Sequence, residues 1–271
     1  MNLHPRRFSS MDLAFALLGS LVVLFILAPL LSALFSSSPA SLWQALQDGE
    51  VLASIRITCI AGLLAVLLGL LTGVPLAYLL ARRRFRGREL VLAVVNLPVL
   101  IPHTAAGVAL LLVYGRQGLL GGPLKSLGFY FTENAAGIVV AMLFVGLPLL
   151  VDTAREAFAL VDERLERVAR TLGAGPWRAF GRVTLPLAWR GIMAGAILMW
   201  ARGISEFGAV VILAYNPKVI SVLIYERFAG FGLSAALPIT ALLLALALLI
   251  LILVRTVLLP RRRQRAWGGR R

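Results

Sequence analysis

The apolar runs decide what this chain can become. Six stretches, roughly 12–35, 52–81, 90–114, 135–152, 190–214 and 234–259, are long and greasy enough to cross bilayer hydrocarbon, which takes about 20 residues of helix. Lipid offers the backbone no hydrogen-bond partner, so such runs must satisfy their own N–H and C=O groups as helices. The expected fold class is therefore all-α: a polytopic membrane protein of six transmembrane helices in a single domain, residues 1–271, with one long polar insert at 153–189. Hydrophobic residues make up 60% of the 271 and charged residues 14%. A soluble domain carries roughly 45–50% and 25%, so an ordinary soluble enzyme is excluded. The first run outlasts the roughly 7–15 apolar residues of a signal-peptide core, and it reads as a span and not a cleaved leader.

A net charge of +15 would suit nucleic acid, but its placement does not. In a six-span topology one side collects Arg6 and Arg7, then Arg82, Arg83, Arg84, Arg86 and Arg88. The same side takes Arg155, Arg164, Arg167, Arg170, Arg178, Arg182 and Arg190, and the tail Arg261, Arg262, Arg263, Arg265, Arg270 and Arg271. The other side holds Arg116, Lys125, Lys218 and Arg227. The positive-inside bias puts both termini in the cytoplasm. The arginine clusters then meet anionic membrane lipid, at about 1 kcal/mol per charge near the surface, and not nucleic acid.

Cys59 is the only cysteine, which rules out an internal disulfide and a Cys-built metal site. Neither lysine follows a glycine, so no Walker P-loop is present. The chain needs no cofactor of its own, and any ATP and Mg that drive it belong to a partner. A membrane-embedded enzyme built on His103 or Glu206 lacks the companion residues: no Ser/His/Asp set, HExxH or paired intramembrane Asp is found.

Two spans are interrupted by features that an inert helix would not carry. In the third, Pro98 and Pro102 remove two helical hydrogen bonds and free the carbonyls of Val94 and Pro98, just before His103 and Thr104. His103 reads either as a structural histidine bonded to a neighbouring helix or as part of a pathway. In the fifth, Arg202 lies about 18 Å in from Arg190 at 1.5 Å per residue. A lone charge at that depth costs roughly 2.5–3.5 kcal/mol on insertion scales. Glu206, four residues on, is placed to neutralise it on one helix face. Arg202 with Ser205 also fits an anion route. Gly69 with Gly73, and Gly191 with Gly195, form small faces for close helix packing. Residues 36–50 and 215–233 read as loops, and 115–134 as a loop carrying a short helix.

The polar insert has internal order between Val161 and Pro186. Asp162 can cap a helix start, with Glu163 and Glu166 in its first turns. Leu165, Val168, Ala169 and Leu172 recur at helical spacing, and Gly173 with Gly175-Pro176 stops the helix. A second helical piece, Trp177 to Val183, is expected to stop before Pro186.

This segment resembles the EAA loop of permease subunits of ATP-binding cassette importers. Ala169 takes the second Ala position, Gly173 the Gly, Val183 the Ile and Leu185-Pro186 the Leu-Pro, with the spacing kept. Arg167 and Val168 depart from the motif's Glu and Ala, and Glu166 lies one residue early. The stretches Leu97–Thr104, Ala169–Gly173, Trp200–Gly208 and Leu223–Phe228 are similar to permeases for molybdate and tungstate in particular. Sulfate permeases share Glu206-Phe207-Gly208 and a similar loop.

The resemblance implies a homodimer of permeases, two cytoplasmic ATPase subunits beneath it and an extracytoplasmic oxyanion-binding protein above. It assigns ATPase coupling to Asp162, Glu166, Arg167, Ala169, Arg170, Leu172, Gly173, Leu185 and Pro186. It assigns the pathway to the third and fifth spans, hence to Pro98, Pro102, His103, Thr104, Arg202, Ser205 and Glu206. The work expected is alternating-access import of a molybdate- or tungstate-type oxyanion. The rival readings are a sulfate or thiosulfate importer permease and an ATP-independent secondary carrier.

Overall fold

The computed structural model describes residues 9–258, and side chains as far as Ile252. The basic tail expected at 261–271, and His4, Arg6 and Arg7, lie outside the described residues. In order the helices are α1 (Ser10–Phe35), α2 (Pro39–Gln47), α3 (Gly49–Arg82), α4 (Arg88–Leu100), α5 (His103–Tyr114), α6 (Gly121–Ser126) and α7 (Ala135–Ala159). Then follow α8 (Glu163–Thr171), α9 (Pro176–Ala179), a π-turn (Phe180–Thr184), α10 (Leu185–Ile204), α11 (Gly208–Leu213), α12 (Ile220–Phe231) and α13 (Leu233–Leu258). Among the described residues all regular structure is helical. Five segments are long and apolar enough to cross a membrane, α1, α3, α7, Pro176–Ile204 and α13; the count is six if the bent pair α4 and α5 forms one span.

The core is α3 against α7 against α10. Lipid gives apolar helices little reason to prefer each other over solvent, so close van der Waals fit must hold them together. Small residues on α3 recur every fourth position: Ala61, Ala65, Gly69, Gly73 and Ala77 are all buried. Leu150 and Met199 lie against Gly69, and Leu147 and Val151 against Gly73. Gly191 and Gly195 of α10 meet Ala157 and Thr153 of α7. Both glycine pairs thus work as packing faces.

Four expectations are corrected. Residues 36–50 are not a loop: Ser38 caps α2 and Pro39 occupies its first turn, where a missing N–H costs nothing. Residues 215–233 are not a loop either. α12 forms because Ile220, Val222 and Leu223 are buried, and Thr58 accepts the Ile220 N–H at 2.9 Å. The helical piece after Gly175 does not stop before Pro186. The π-turn lets the Leu185 N–H reach Phe180 O, and the chain runs on as one 29-residue helix to Ile204. The third run, expected as one span interrupted at both prolines, bends by 116° between α4 and α5. Of its two prolines only the second breaks it. Pro98 stays inside α4, whereas Ile101 is driven extended (φ −82°, ψ 146°) by the proline that follows. The short helix expected in 115–134 is α6.

Candidate functional site

Two polar assemblies stand out in this greasy frame. The first sits where two broken helices face each other. α10 ends at Ile204 and α11 begins at Gly208, while α4 and α5 part at Ile101-Pro102. α5 and α11 pack together closely enough that a Cβ on Gly208 would lie 2.8 Å from His103 Cβ and 3.0 Å from the Thr104 N. Only glycine fits that contact. Trp200 and Ile204 lie against Gly62, which sets the assembly level with the middle third of α3.

Glu206 is 1% exposed. Its Oε2 lies 2.8 Å from Arg202 Nη2, and its Oε1 accepts the Ala209 N–H at 2.8 Å in the first turn of α11. Ser221 of α12 donates to its backbone carbonyl at 2.6 Å. The expected neutralising pair is therefore formed. It is not a pair on one helix face, because α10 has already ended and Glu206 reaches back across the break. Arg202 Nη2 is 2.7 Å from His103 Nε2. A guanidinium only donates, so that ring nitrogen must accept. Arg202 Nη1 reaches Ser205 Oγ at 3.4 Å. The arginine side chain is 25% exposed and the histidine 43%. The cluster thus presents one guanidinium, an imidazole and a hydroxyl at the edge of the fold, over a buried carboxylate. Thr104 and Pro102 are exposed beside it, and Pro98 is buried below the bend.

The second assembly is α8. Asp162 caps it by accepting the Arg164 N–H at 2.9 Å. At its other end Gly173 takes φ +88°. The Gly173 and Ala174 N–H groups return to Arg170 O and Ala169 O, the crossed pair of bonds that closes a helix through a left-handed residue. Amphipathic helices normally hide their apolar side. This one shows it. Leu165 and Val168 are exposed, Leu172 is 83% exposed, and Trp177 just beyond is 87% exposed. Ala169 sits half-buried at the margin of that face, Arg167 and Arg170 are exposed, and Leu185 and Pro186 lie at the start of α10.

What α8 turns inward is a charge. Glu166 takes the Tyr78 hydroxyl at 3.1 Å and the Thr184 hydroxyl at 2.6 Å, and lies 3.2 Å from Arg82 Nε. Arg82, its side chain 7% exposed, also donates to Val161 O at 2.8 Å and approaches Glu163 at 3.8 Å. Sequence reasoning missed Arg82, Tyr78 and Thr184. The only hint was that Arg82 opens the arginine run at the end of a span. Among the described residues no group of three His, Cys, Asp or Glu is arranged to hold a metal.

Residues 73–265 match the family model for the binding-protein-dependent transport system inner membrane component. A molybdate/tungstate transport system permease protein of Thermococcus kodakarensis is 41% identical over 244 residues, 89% of this chain and 93% of that one. A protein of the same description from Methanocaldococcus jannaschii is 41% identical over 90% of this chain and 95% of its own. The sulfate transport system permease protein of Escherichia coli is 32% identical over 83% of each. A bacterial alginate ABC transporter crystallised with its alginate-bound periplasmic protein shares the fold, with a TM-score of 0.71 at 19% identity over 90% of this chain and 93% of that one. On the strength of a match running through most of its spans, the chain belongs to the binding-protein-dependent transport system inner membrane components: it is a non-catalytic, multi-pass permease subunit of an ATP-binding cassette importer.

Proposed function

We propose that this permease imports molybdate- or tungstate-type oxyanions by alternating access, with α8 as the helix that a cytoplasmic ATPase pushes. The observation that carries the coupling role is the apolar face of α8, left open around Leu165, Val168 and Leu172. A surface of that kind on a membrane protein is either in lipid or in a partner. α8 lies off the end of α7 with Arg164, Arg167 and Arg170 exposed on the same helix, which suits a protein groove better than hydrocarbon. On this reading both termini and α8 are cytoplasmic, and two ATPase subunits holding ATP and Mg dock on two copies of the permease. An extracytoplasmic binding protein delivers the anion to the α12 side. Relatives about 40% identical that carry molybdate/tungstate descriptions support the cargo.

The pathway runs past the break between α10 and α11. Arg202, His103 and Ser205 supply passing contacts for an oxyanion, and Glu206 keeps Arg202 from holding it tightly. A site that bound hard would stall release, so selection falls mainly to the binding protein. The test is uptake by proteoliposomes containing permease, ATPase and binding protein, offered molybdate, tungstate or sulfate in turn. Leu172→Asp is expected to abolish ATP-driven uptake by spoiling the docking face. Unaltered uptake in that variant, or uptake with no ATPase present, sinks the coupling assignment. Preference for sulfate sinks the cargo assignment.

A further inference from the structure

Glu166 has no part in the exposed face of α8, yet its carboxylate gathers three groups from two other elements. Tyr78 and Arg82 come from the last turn of α3, and Thr184 is the final residue of the π-turn that feeds α10. The surroundings are built to keep this arrangement. Thr184 is fully buried, and the Tyr78 ring lies edge-on to Phe158 of α7 and to Phe180 of the π-turn, with centroids 5.4 and 4.9 Å away. Arg82 is fastened separately to the turn before α8 through Val161 O. Hydrogen bonds to an ionised carboxylate are of the stronger class. Glu166 accepts two, from Tyr78 and Thr184, while Arg82 faces it as an ion partner through an Nε that makes no hydrogen bond. α8 therefore cannot tilt or slide without taking the ends of α3 and α10 with it.

We propose that Glu166 is a positioning residue for transport: it locks α8 to α3 and to the π-turn, so that a push on α8 arrives at α3 and α10 together. This rests on α8 being the coupling helix. Without the lock α8 would still be a docking face, but its movement would be spent in the short turns on either side of it. The π-turn belongs to the same device. Its wider turn puts the Thr184 hydroxyl on Glu166 while the helix continues into α10 unbroken.

The test compares Glu166→Gln, Arg82→Gln and the double variant in proteoliposomes with the ATPase and binding protein. Each is scored for ATPase copurification and for anion taken up per ATP hydrolysed. Each single variant should lower uptake per ATP about tenfold, the factor carried by one hydrogen bond to a charged group, with the ATPase still copurifying. The double variant should be no worse than either, because both remove one shared interaction. Glu166→Asp, which keeps the charge on a shorter stem, should fall between. Unchanged uptake per ATP overturns the proposal, and so does uptake that falls only in step with the amount of assembled complex. Leu172→Asp run alongside separates the two claims. Should it abolish docking while Glu166→Gln leaves the ratio unchanged, the lock is wrong and the coupling helix stands. Should Leu172→Asp leave docking and uptake intact, the coupling reading fails and the lock falls with it.

Discussion

Glu206 brings a negative charge to a place where its side chain is almost wholly out of solvent, while its partner Arg202 keeps a quarter of its surface. That asymmetry orders the two neutralising substitutions. Arg202→Gln strands a buried carboxylate with only one backbone N–H and a histidine at 3.8 Å to hold it. Glu206→Gln strands an arginine that can turn toward the open side, and a glutamine oxygen still accepts the Ala209 N–H. Breaking a buried pair costs about 3–5 kcal/mol when a charge is left uncompensated. Arg202→Gln should therefore lower the thermal midpoint of the purified permease clearly more than Glu206→Gln. A reversed order in a melting assay would mean that the guanidinium, and not the carboxylate, is the costly group.

Among the elements, glycine contacts are not all alike. A Cβ on Gly107 of α5 would lie 3.0 and 3.1 Å from the backbone Cα and O of Ala209, which cannot step aside. A Cβ on Gly69 of α3 would lie 2.7 Å from Met199 Sδ, the movable part of a flexible side chain. Gly107→Ala should cost about 1–3 kcal/mol by overpacking. Gly69→Ala should stay within about 1 kcal/mol of the parent, helped by alanine's better helix propensity. Chemical unfolding of the two variants checks this. Similar losses would show that α3 and α10 are as tightly seated as α5 and α11. The same elements mark how far the sequence could be read. Hydrophobic length found the spans, and the spacing of Arg202 and Glu206 found their pairing. The π-turn was invisible because nothing in Phe180–Thr184 announces the wider hydrogen bond that lets a helix pass Pro186. Ser38-Pro39 is a helix-start signature that composition disguised as a loop. α12 carries no clean helical period in Ile220, Val222, Leu223 and Ile224, and tertiary burial makes the helix. The lock on Glu166 was out of reach for another reason: Tyr78 is 88 residues away, and only the packing of α3 on α7 brings them together.

At the scale of the whole molecule α3 is the shared axis. Its 34 residues reach about 50 Å at 1.5 Å per residue, with the Arg82–Glu166 lock at one end and a second polar network at the other. There Lys218 donates to Glu50 and Glu226 at 2.8 Å each, and Arg227 to Asp48 and Glu50 at 2.9 Å each. These contacts tie the loop before α12, and α12 itself, to the first turn of α3. The Lys218 ammonium holds the Glu226 carboxyl below the usual glutamate range, assisted by the Tyr215 hydroxyl. The two carboxylates, Glu226 first, push Lys218 above the usual lysine range. The signs are opposite. A depressed carboxyl stabilises the fold above its unfolded value of about 4.3 and loses that contribution as pH falls through the lower folded value. A raised ammonium stabilises below about 10.4 and loses it as pH climbs through the higher folded value. Attachment of α12 to α3 should therefore be flat across neutral pH and weaken at both extremes, and salt should blunt it because the network is partly exposed. Hydrogen exchange of the α12 amides against pH measures this. Lys218→Met should leave α12 exchanging faster at neutral pH, while α7 amides stay as slow as in the parent. It should also shrink the alkaline limb of the profile to the part carried by the Tyr215 hydroxyl, which its hydrogen bond to Glu226 also holds above the usual tyrosine range. A profile unchanged by Lys218→Met would show that burial of Ile220, Val222 and Leu223 alone holds α12 in place.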